Sequence, residues 1–105
     1  MILLHIITED EKQAIEIVDL LLKEIIILEA VLLEQVAVRK KMLSGKLVTQ
    51  SHTLTMGKTK ALLFNTIDNL LKERYEQNMP VIYSTPIVHM DWEESTLLQS
   101  RLEQV

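Results

Sequence analysis

The sequence predicts an α+β fold in which four antiparallel strands carry two helices on one face, followed by a third helix. Strand-like apolar runs alternate with segments whose apolar residues recur every three or four positions. The segments follow the order β-α-β-β-α-β-α, and its first six elements form a split βαβ sandwich. Only two Gly and two Pro occur among 105 residues, so the regular elements are long and tight turns are few. We expect one domain spanning residues 1–105.

The first strand is predicted from MILLHII, residues 1–7, where apolar side chains occupy both parities, as in a strand buried on both faces. Thr8 and Glu11 then form a capping-box pattern, which predicts a helix over about residues 9–23. Its predicted inner positions have the 3,4-spacing of an amphipathic helix: Ala14, Ile17, Val18, Leu21 and Ile25.

Residues 9–43 contain neither Gly nor Pro, so two interpretations are open. One long helix would make the chain a helical interaction module. The isoleucines at 25–27 and the recurring valines after them favour a break near Ile25 and a second strand over about residues 28–42. We predict the strand.

A hairpin turn is predicted at Ser44-Gly45, leading into a third strand over residues 47–64. Because the second and third strands are both long, they form an extended β2–β3 hairpin. Gly57 lies inside the third strand and predicts a β-bulge there.

The last third of the chain predicts a helix, a strand and a helix. Thr66 is the expected cap of the first of these helices, and its inner stripe is Ile67, Leu70, Leu71 and Tyr75. VIYSTPIV, residues 81–88, predicts a strand that Pro86 places at a sheet edge. Asp91 with Glu94 predicts the cap of the last helix, whose apolar side is Leu98, Leu102 and Val105.

Composition excludes several functions. The absence of Cys removes disulfides, thiolate nucleophiles and thiolate metal ligands. The longest apolar stretch, residues 20–33, contains three charged residues and is short for a membrane span. We also find no signal-peptide pattern at residues 1–11. The expectation is a soluble cytoplasmic protein without a membrane partner.

The second strand predicts self-association because its apolar residues fall on both faces: Val31, Leu32, Leu33, Val36, Ala37 and Val38. A two-layer sandwich leaves one face of its sheet open, and large exposed apolar patches are rare on soluble monomers. Burial against other copies, as in a cyclic homotrimer, is therefore expected.

Residues 39–60 are basic within an acidic chain of net charge −4. The segment contains no acidic residue, and its cations are candidates for anion binding or inter-subunit docking: Arg39, Lys40, Lys41, Lys46, Lys58 and Lys60. Protection of a strand edge by lysines is a third interpretation. Nucleic acid is not an expected partner, because this segment lacks the aromatic residues that stack on bases.

The histidines are the candidate metal ligands. His5, His52 and His89 supply imidazoles, and Met56 and Met90 are soft donors suited, with histidine, to copper. If the first strand pairs with the fourth, His5 and His89 approach each other. No two histidines have a ligand spacing, so a copper or zinc site remains a hypothesis. Motifs for phosphate loops and nucleophilic catalysis are absent, and we do not expect an enzyme.

Three short strings resemble the CutA family of divalent-cation-tolerance proteins. ALLFNT, residues 61–66, is similar to the string before that family's second helix, and MPVIYSTPIV, residues 79–88, is similar to its fourth strand. Gly45-Lys46, or else Gly57-Lys58, resembles its hairpin glycine-lysine.

The resemblance implies a ferredoxin-like subunit, related in architecture to PII signalling proteins, in a homotrimer whose β2–β3 hairpins reach neighbouring subunits. It also implies a binding or regulatory role linked to divalent metal-ion tolerance. The alternative it suggests is a PII-like sensor that binds a nucleotide or another anionic small molecule near the basic hairpin.

Overall fold

The computed structural model describes residues 1–104, and its elements follow the predicted order. Val105, predicted on the apolar side of the last helix, lies outside the described residues. The elements are β1 (Ile2–Thr8), α1 (Glu11–Lys23), β2 (Val31–Lys41), β3 (Leu47–Thr59), α2 (Phe64–Arg74), β4 (Val81–Pro86) and α3 (Trp92–Arg101). The strand interpretation of the second segment is confirmed, and the long-helix alternative is wrong.

The four strands form one antiparallel sheet in the order β2-β3-β1-β4, the order of the predicted split βαβ sandwich. β4 pairs only with β1, so Pro86 stands at a sheet edge as predicted. Helices α1 and α2 pack on one face of this sheet. That face and the helices enclose an aliphatic core: Leu4, Ile6, Ile17, Leu21, Ile26, Ile27, Leu63, Ile67 and Leu71. In β1 burial alternates, so this strand is fully buried on one face only, which corrects the prediction for residues 1–7.

Helix α1 begins two residues later than predicted, because Asp10 caps it in place of Thr8. The Asp10 Oδ1 atom accepts a hydrogen bond from the Gln13 N–H at 2.8 Å. The Thr8 hydroxyl instead donates to the Asp10 carbonyl oxygen at 2.8 Å and stays in the strand. Aspartate caps helices at least as well as threonine. Asp10 has extended backbone and directly precedes the helix, so it is the cap.

Ile25, predicted as an inner position of α1, is exposed and ends the helix. Its φ is 56°, in the left-handed region that helices use at their C-termini. The Ile26 N–H donates to Leu21 O at 2.9 Å and the Ile25 N–H to Leu22 O at 3.1 Å, the two bonds of a Schellman motif. Glycine is the usual residue at this position, and a β-branched side chain is strained there.

We therefore expect Ile25→Gly to be about 1 kcal/mol more stable than Ile25→Ala, because only glycine adopts this backbone without a Cβ clash. Both variants lose the same exposed side chain, so their difference isolates the backbone. The free energies of unfolding from urea titrations give the comparison. Equal stability, or a more stable alanine variant, would show that the left-handed turn carries no strain.

The β-bulge lies on β2 and not at Gly57. Leu33 pairs with Leu54 and Val36 pairs with His52, so one extra residue of β2 is accommodated between these pairs. Gln35, inside the bulge, has a φ of 55°. Gly57 keeps regular register opposite Leu4. The reason for glycine there is space, since a Cβ would lie 3.3 Å from Ile27 Cγ2 and 3.4 Å from Glu29 O.

Two boundaries in the second half also differ from the predictions. β3 ends at Thr59, and a short 3₁₀ turn over Ala61–Leu63 leads into α2, so Thr66 lies inside this helix and does not cap it. β4 ends at Pro86 and not at residue 88. The α2 stripe packs on the core as predicted. The cap of α3 is confirmed, because Asp91 Oδ2 accepts from the Glu94 N–H at 3.1 Å.

The predicted turn at Ser44-Gly45 closes a long hairpin. Gly45 has a φ of 90°, and the Met42 N–H donates to Lys46 O at 2.8 Å. β1 ends opposite Thr53, so residues 36–41 and 47–52 pair only with each other. We call this two-stranded extension, with its turn at 42–46, the ribbon. Across residues 1–104, no helix combines the length and apolarity that crossing a membrane requires.

Candidate binding surface

The sheet face opposite α1 and α2, which we call the open face, carries two apolar rows that run across all four strands. The pairing register shows which residues lie on the open face, because residues directly opposite each other on paired strands share a face. The first row is Val31, Met56, His5 and Tyr83, and the second is Leu33, Leu54, Ile7 and Val81.

The bulge extends these rows into the ribbon. Without it, Leu33 and Val36 would lie on opposite faces, because side chains alternate along a strand. The extra residue restores Val36 and Val38 to the face that holds Val31 and Leu33. Apolar groups do lie on both faces of β2, as predicted, because Leu32 and Ala37 are on the opposite face, but four of the six lie on the open face.

This surface is exposed in the single chain. Val31 is 54% exposed, Leu33 46% and Val81 57%. Contiguous apolar patches of this kind commonly mark interaction sites. The open face is therefore the main candidate for a contact with a partner.

His5 lies within the first row, stacked on Tyr83 with ring centroids 4.8 Å apart and an angle of 7° between the rings. Its Nδ1 is 3.2 Å from Leu3 O. β1 pairs with β4 as predicted, but Tyr83 occupies the position across from His5. His89 lies three residues beyond the end of β4, so the expected approach of these two histidines is not formed. Met56 is the soft donor that the register does place beside His5.

His52 has a partner at each ring nitrogen. Nδ1 is 3.2 Å from Thr8 O, and Nε2 is 3.1 Å from Gln50 Oε1. His89 is exposed in the loop before α3, next to Met90. Within residues 1–104, no three His, Cys, Asp or Glu side chains are arranged to hold a metal ion.

The six candidate cations divide into two groups. Lys58 forms an ion pair with Glu94, and Lys60 Nζ donates to Glu103 O at 3.0 Å, so both fasten the C-terminal segment to β3. The others are exposed on the ribbon, and none forms an ion pair within residues 1–104: Arg39, Lys40, Lys41 and Lys46.

Lys40 differs from its neighbours because it lines a groove. It shares a ribbon face with Val38, whereas Arg39 and Lys41 point to the other side. The groove has a volume of about 380 Å³ and lies between the base of the ribbon and the start of β4, with His52 and Val81 in its walls. Lys40 and His52 line this groove together with the acidic residue Glu9.

Two carboxylates face each other beside the bulge. A hydrogen bond that protonated Glu11 donates to Glu34, together with the negative charge of Glu34, raises the pKa of Glu11 above its ordinary value of about 4.5. A raised folded-state pKa contributes stability that is present at pH values below 4.5 and is lost as the pH rises through the folded pKa. At neutral pH the two charged groups repel each other.

Glu34→Gln is consequently expected to raise the midpoint of thermal unfolding at pH 7, and this gain should disappear toward pH 4, where Glu11, with its raised pKa, is protonated in the parent protein. Glu76→Gln removes an exposed carboxylate elsewhere and serves as the matched control. Thermal melts at both pH values give the result. An equal gain at pH 4 and pH 7 would contradict repulsion within this pair.

Sequence reasoning missed Tyr83 and Glu34. The alternation in VIYSTP was the available signal for Tyr83, because it places Val81 and Tyr83 on one face of β4. No local signal indicated the pair of Glu34 with Glu11, since the bulge that brings Glu34 there depends on pairing with β3.

Comparison with solved structures shows what this arrangement is similar to. The divalent cation tolerance protein CutA1 from Thermus thermophilus superposes with a TM-score of 0.85 at 19% identity, covering 98% of this chain and 100% of that one. A single-site variant of CutA1 from Pyrococcus horikoshii gives 0.85 at 22% identity, covering 99% and 100%. A protein described as the periplasmic divalent cation tolerance protein CutA from Archaeoglobus fulgidus gives 0.84 at 17% identity, covering 98% and 100%.

Neither a protein-family model nor a curated protein matches the chain. The structural similarity nevertheless spans nearly the whole of each molecule. In this chain Gly45-Lys46 lies in the hairpin turn, whereas Gly57-Lys58 lies within β3. The resemblance noted in three short strings is thus confirmed in three dimensions, and the chain has the fold of the CutA divalent cation tolerance proteins.

Proposed function

We propose that this protein is a divergent CutA-like protein that assembles as a homotrimer through its open face. In this proposal it has a binding or regulatory role in divalent metal-ion tolerance and no catalytic activity. The open face, with its two apolar rows, is the observation that carries the proposal.

The energetic argument is that water is a poor environment for this face. Complete burial of a Val or Leu side chain stabilises by about 1.5–3 kcal/mol, so a few such residues from each copy can offset the loss of translational and rotational freedom. A cyclic assembly around one axis covers the same face in every copy. The exposed ribbon cations would then contact acidic surfaces of neighbouring copies.

The molar mass in solution tests the assembly. A trimer of this 12.1 kDa chain is expected in multi-angle light scattering and in sedimentation equilibrium. A monodisperse monomer over the accessible concentration range would overturn the proposal, because it would show that the open face is stable in water.

The metal part of the proposal is tested separately. The register places His5 beside Met56, and residues 1–104 bring no three His, Cys, Asp or Glu side chains together, so in this proposal binding of Cu²⁺ or Zn²⁺ combines ligands from several copies. Calorimetric titration of the assembled protein, with His5→Ala as the comparison, gives the answer. Absence of heat would remove the metal role and leave the assembly intact. We also propose a cytoplasmic location, on the basis of composition alone.

The groove beside Lys40 supports a second candidate function, a PII-like sensor of an anionic small molecule. A thermal-shift screen with nucleotides and inorganic phosphate tests it. Lys40→Ala should abolish a stabilising shift, whereas Lys41→Ala, on the other side of the ribbon, should preserve it. Loss of the shift in both variants would indicate a diffuse charge effect and not binding in this groove.

A further inference from the structure

We infer that a cleft beside α3 binds a free α-amino acid with an aliphatic side chain. The cleft has a volume of about 330 Å³ and lies between α3 and the loop that joins α1 to β2. This is at the small end of the range for ligand sites, about 300–1,000 Å³. It contains none of the ribbon residues and is separate from the groove beside Lys40.

The walls of the cleft are held in place on both sides. Leu98 and Leu102 anchor α3 in the core, and the Glu103 N–H donates to Ile25 O at 2.9 Å. The loop is fixed by the Thr59 hydroxyl, which donates to Ile26 O at 2.6 Å. Both walls are thus ordered before any ligand arrives, which lowers the entropy lost on binding.

The charges in the cleft match a zwitterion. Lys58 and Glu94 neutralise each other in an ion pair across one side. Arg101 and Glu29 also line the cleft, and neither forms an ion pair within residues 1–104. The planar guanidinium of arginine binds carboxylates through two parallel hydrogen bonds. Glu29 provides the acceptor for an ammonium group, so the two unpaired charges together recognise both ends of an amino acid backbone.

The remaining surface of the cleft is aliphatic. Leu28, Leu97 and Leu98 line it, and Leu97 is exposed despite its position among these residues. An aliphatic ligand side chain would cover Leu97 and exclude water from the charged contacts, which strengthens them. A purely anionic ligand such as phosphate would be repelled by the Glu29 carboxylate, and it would leave the leucine side chains exposed to water.

Calorimetry with three probes tests the inference: L-leucine, 4-methylpentanoate, which lacks the amine, and 3-methylbutylamine, which lacks the carboxylate. We expect L-leucine to bind and each analogue to bind weaker by about tenfold or more, since each loses a charged hydrogen-bonding group. Absence of leucine binding at millimolar concentration would overturn the inference, as would equal affinity for an analogue.

Two variants locate the site. Arg101→Gln is expected to weaken leucine binding by about tenfold or more while leaving the affinity for 3-methylbutylamine unchanged. Arg39→Gln, the matched change on the ribbon, should bind leucine like the parent protein. Circular dichroism confirms that each variant is folded. Unchanged leucine affinity in Arg101→Gln, or a loss in Arg39→Gln, would show that the cleft is not the site.

Discussion

Gly57→Val is expected to lower the free energy of unfolding by about 3 kcal/mol, because overfilling a packed core forces side chains and backbone out of position. A Cβ at this position would already lie 3.3 Å from Ile27 Cγ2. The two further methyl groups of valine would meet Ile27, which is 1% exposed, and the backbone of Glu29 beyond it. Alanine adds only the Cβ, so Gly57→Ala should cost less than about 1 kcal/mol. Chemical denaturation of both variants measures the difference.

A double variant tests whether Ile27 is the cause. Ile27→Ala alone creates a cavity and should destabilise by about 2–5 kcal/mol. Combined with Gly57→Val, it removes the clashing methyl groups and lets valine fill part of the cavity, so the two losses should sum to more than the loss in the double variant. Strict additivity would place the strain of Gly57→Val elsewhere in β3.

Leu33→Asp is expected to convert the proposed trimer into monomers, with association weakened by about a hundredfold or more, since a carboxylate without a partner is costly in an apolar interface. Leu33 lies in the second row of the open face and is 46% exposed in the single chain. The substitution therefore lowers the free energy of unfolding of a single copy only slightly, and the circular dichroism spectrum should remain unchanged. Sedimentation velocity across a dilution series measures the association.

Leu62→Asp is the matched control for this experiment. Leu62 is 76% exposed in the 3₁₀ turn and does not belong to the open face. This variant should keep the mass of the parent protein. If both variants remain trimeric, the contact between copies lies on another surface, and the open face needs a different partner.

The order of elements was predictable because each element has a signal in its own local sequence. Helix α1 has its 3,4-spaced apolar stripe, Gly45 provides the turn, and Pro86 marks an edge strand. These signals depend on residues close in sequence. The same holds for the cap of α3, where Asp91 and Glu94 are three residues apart.

The errors come from choices that only tertiary packing decides. Thr8 and Asp10 are both good caps, and the strand pairing of Thr8 with Thr53 leaves Asp10 for the helix. Gly57 was interpreted as a bulge because glycine weakens a strand. The side chain that leaves little room for a Cβ at this position is Ile27, thirty positions earlier in the chain. Spacing along the sequence contains no information about such a contact.

The candidate site was predictable in kind but not in arrangement. Exposed aliphatics on β2 were expected, and the bulge that gathers Val36 and Val38 onto one face was not. The six basic residues look alike in sequence. Only the packing of the C-terminal segment shows that Lys58 and Lys60 contact this segment, while Lys40 lines a groove.

The bulge in β2 also bears on amyloid formation. β2 is an edge strand of eleven residues, and its outer side has no strand partner among residues 1–104. A straight edge of this length would present a continuous ladder of free amide groups on which further chains could stack into fibrils. The bulge at Glu34 and Gln35 interrupts the regular register of this strand, and bulges disrupt the ladder locally. We therefore expect the same irregularity that shapes the open face to hinder the growth of a cross-β fibril along this edge.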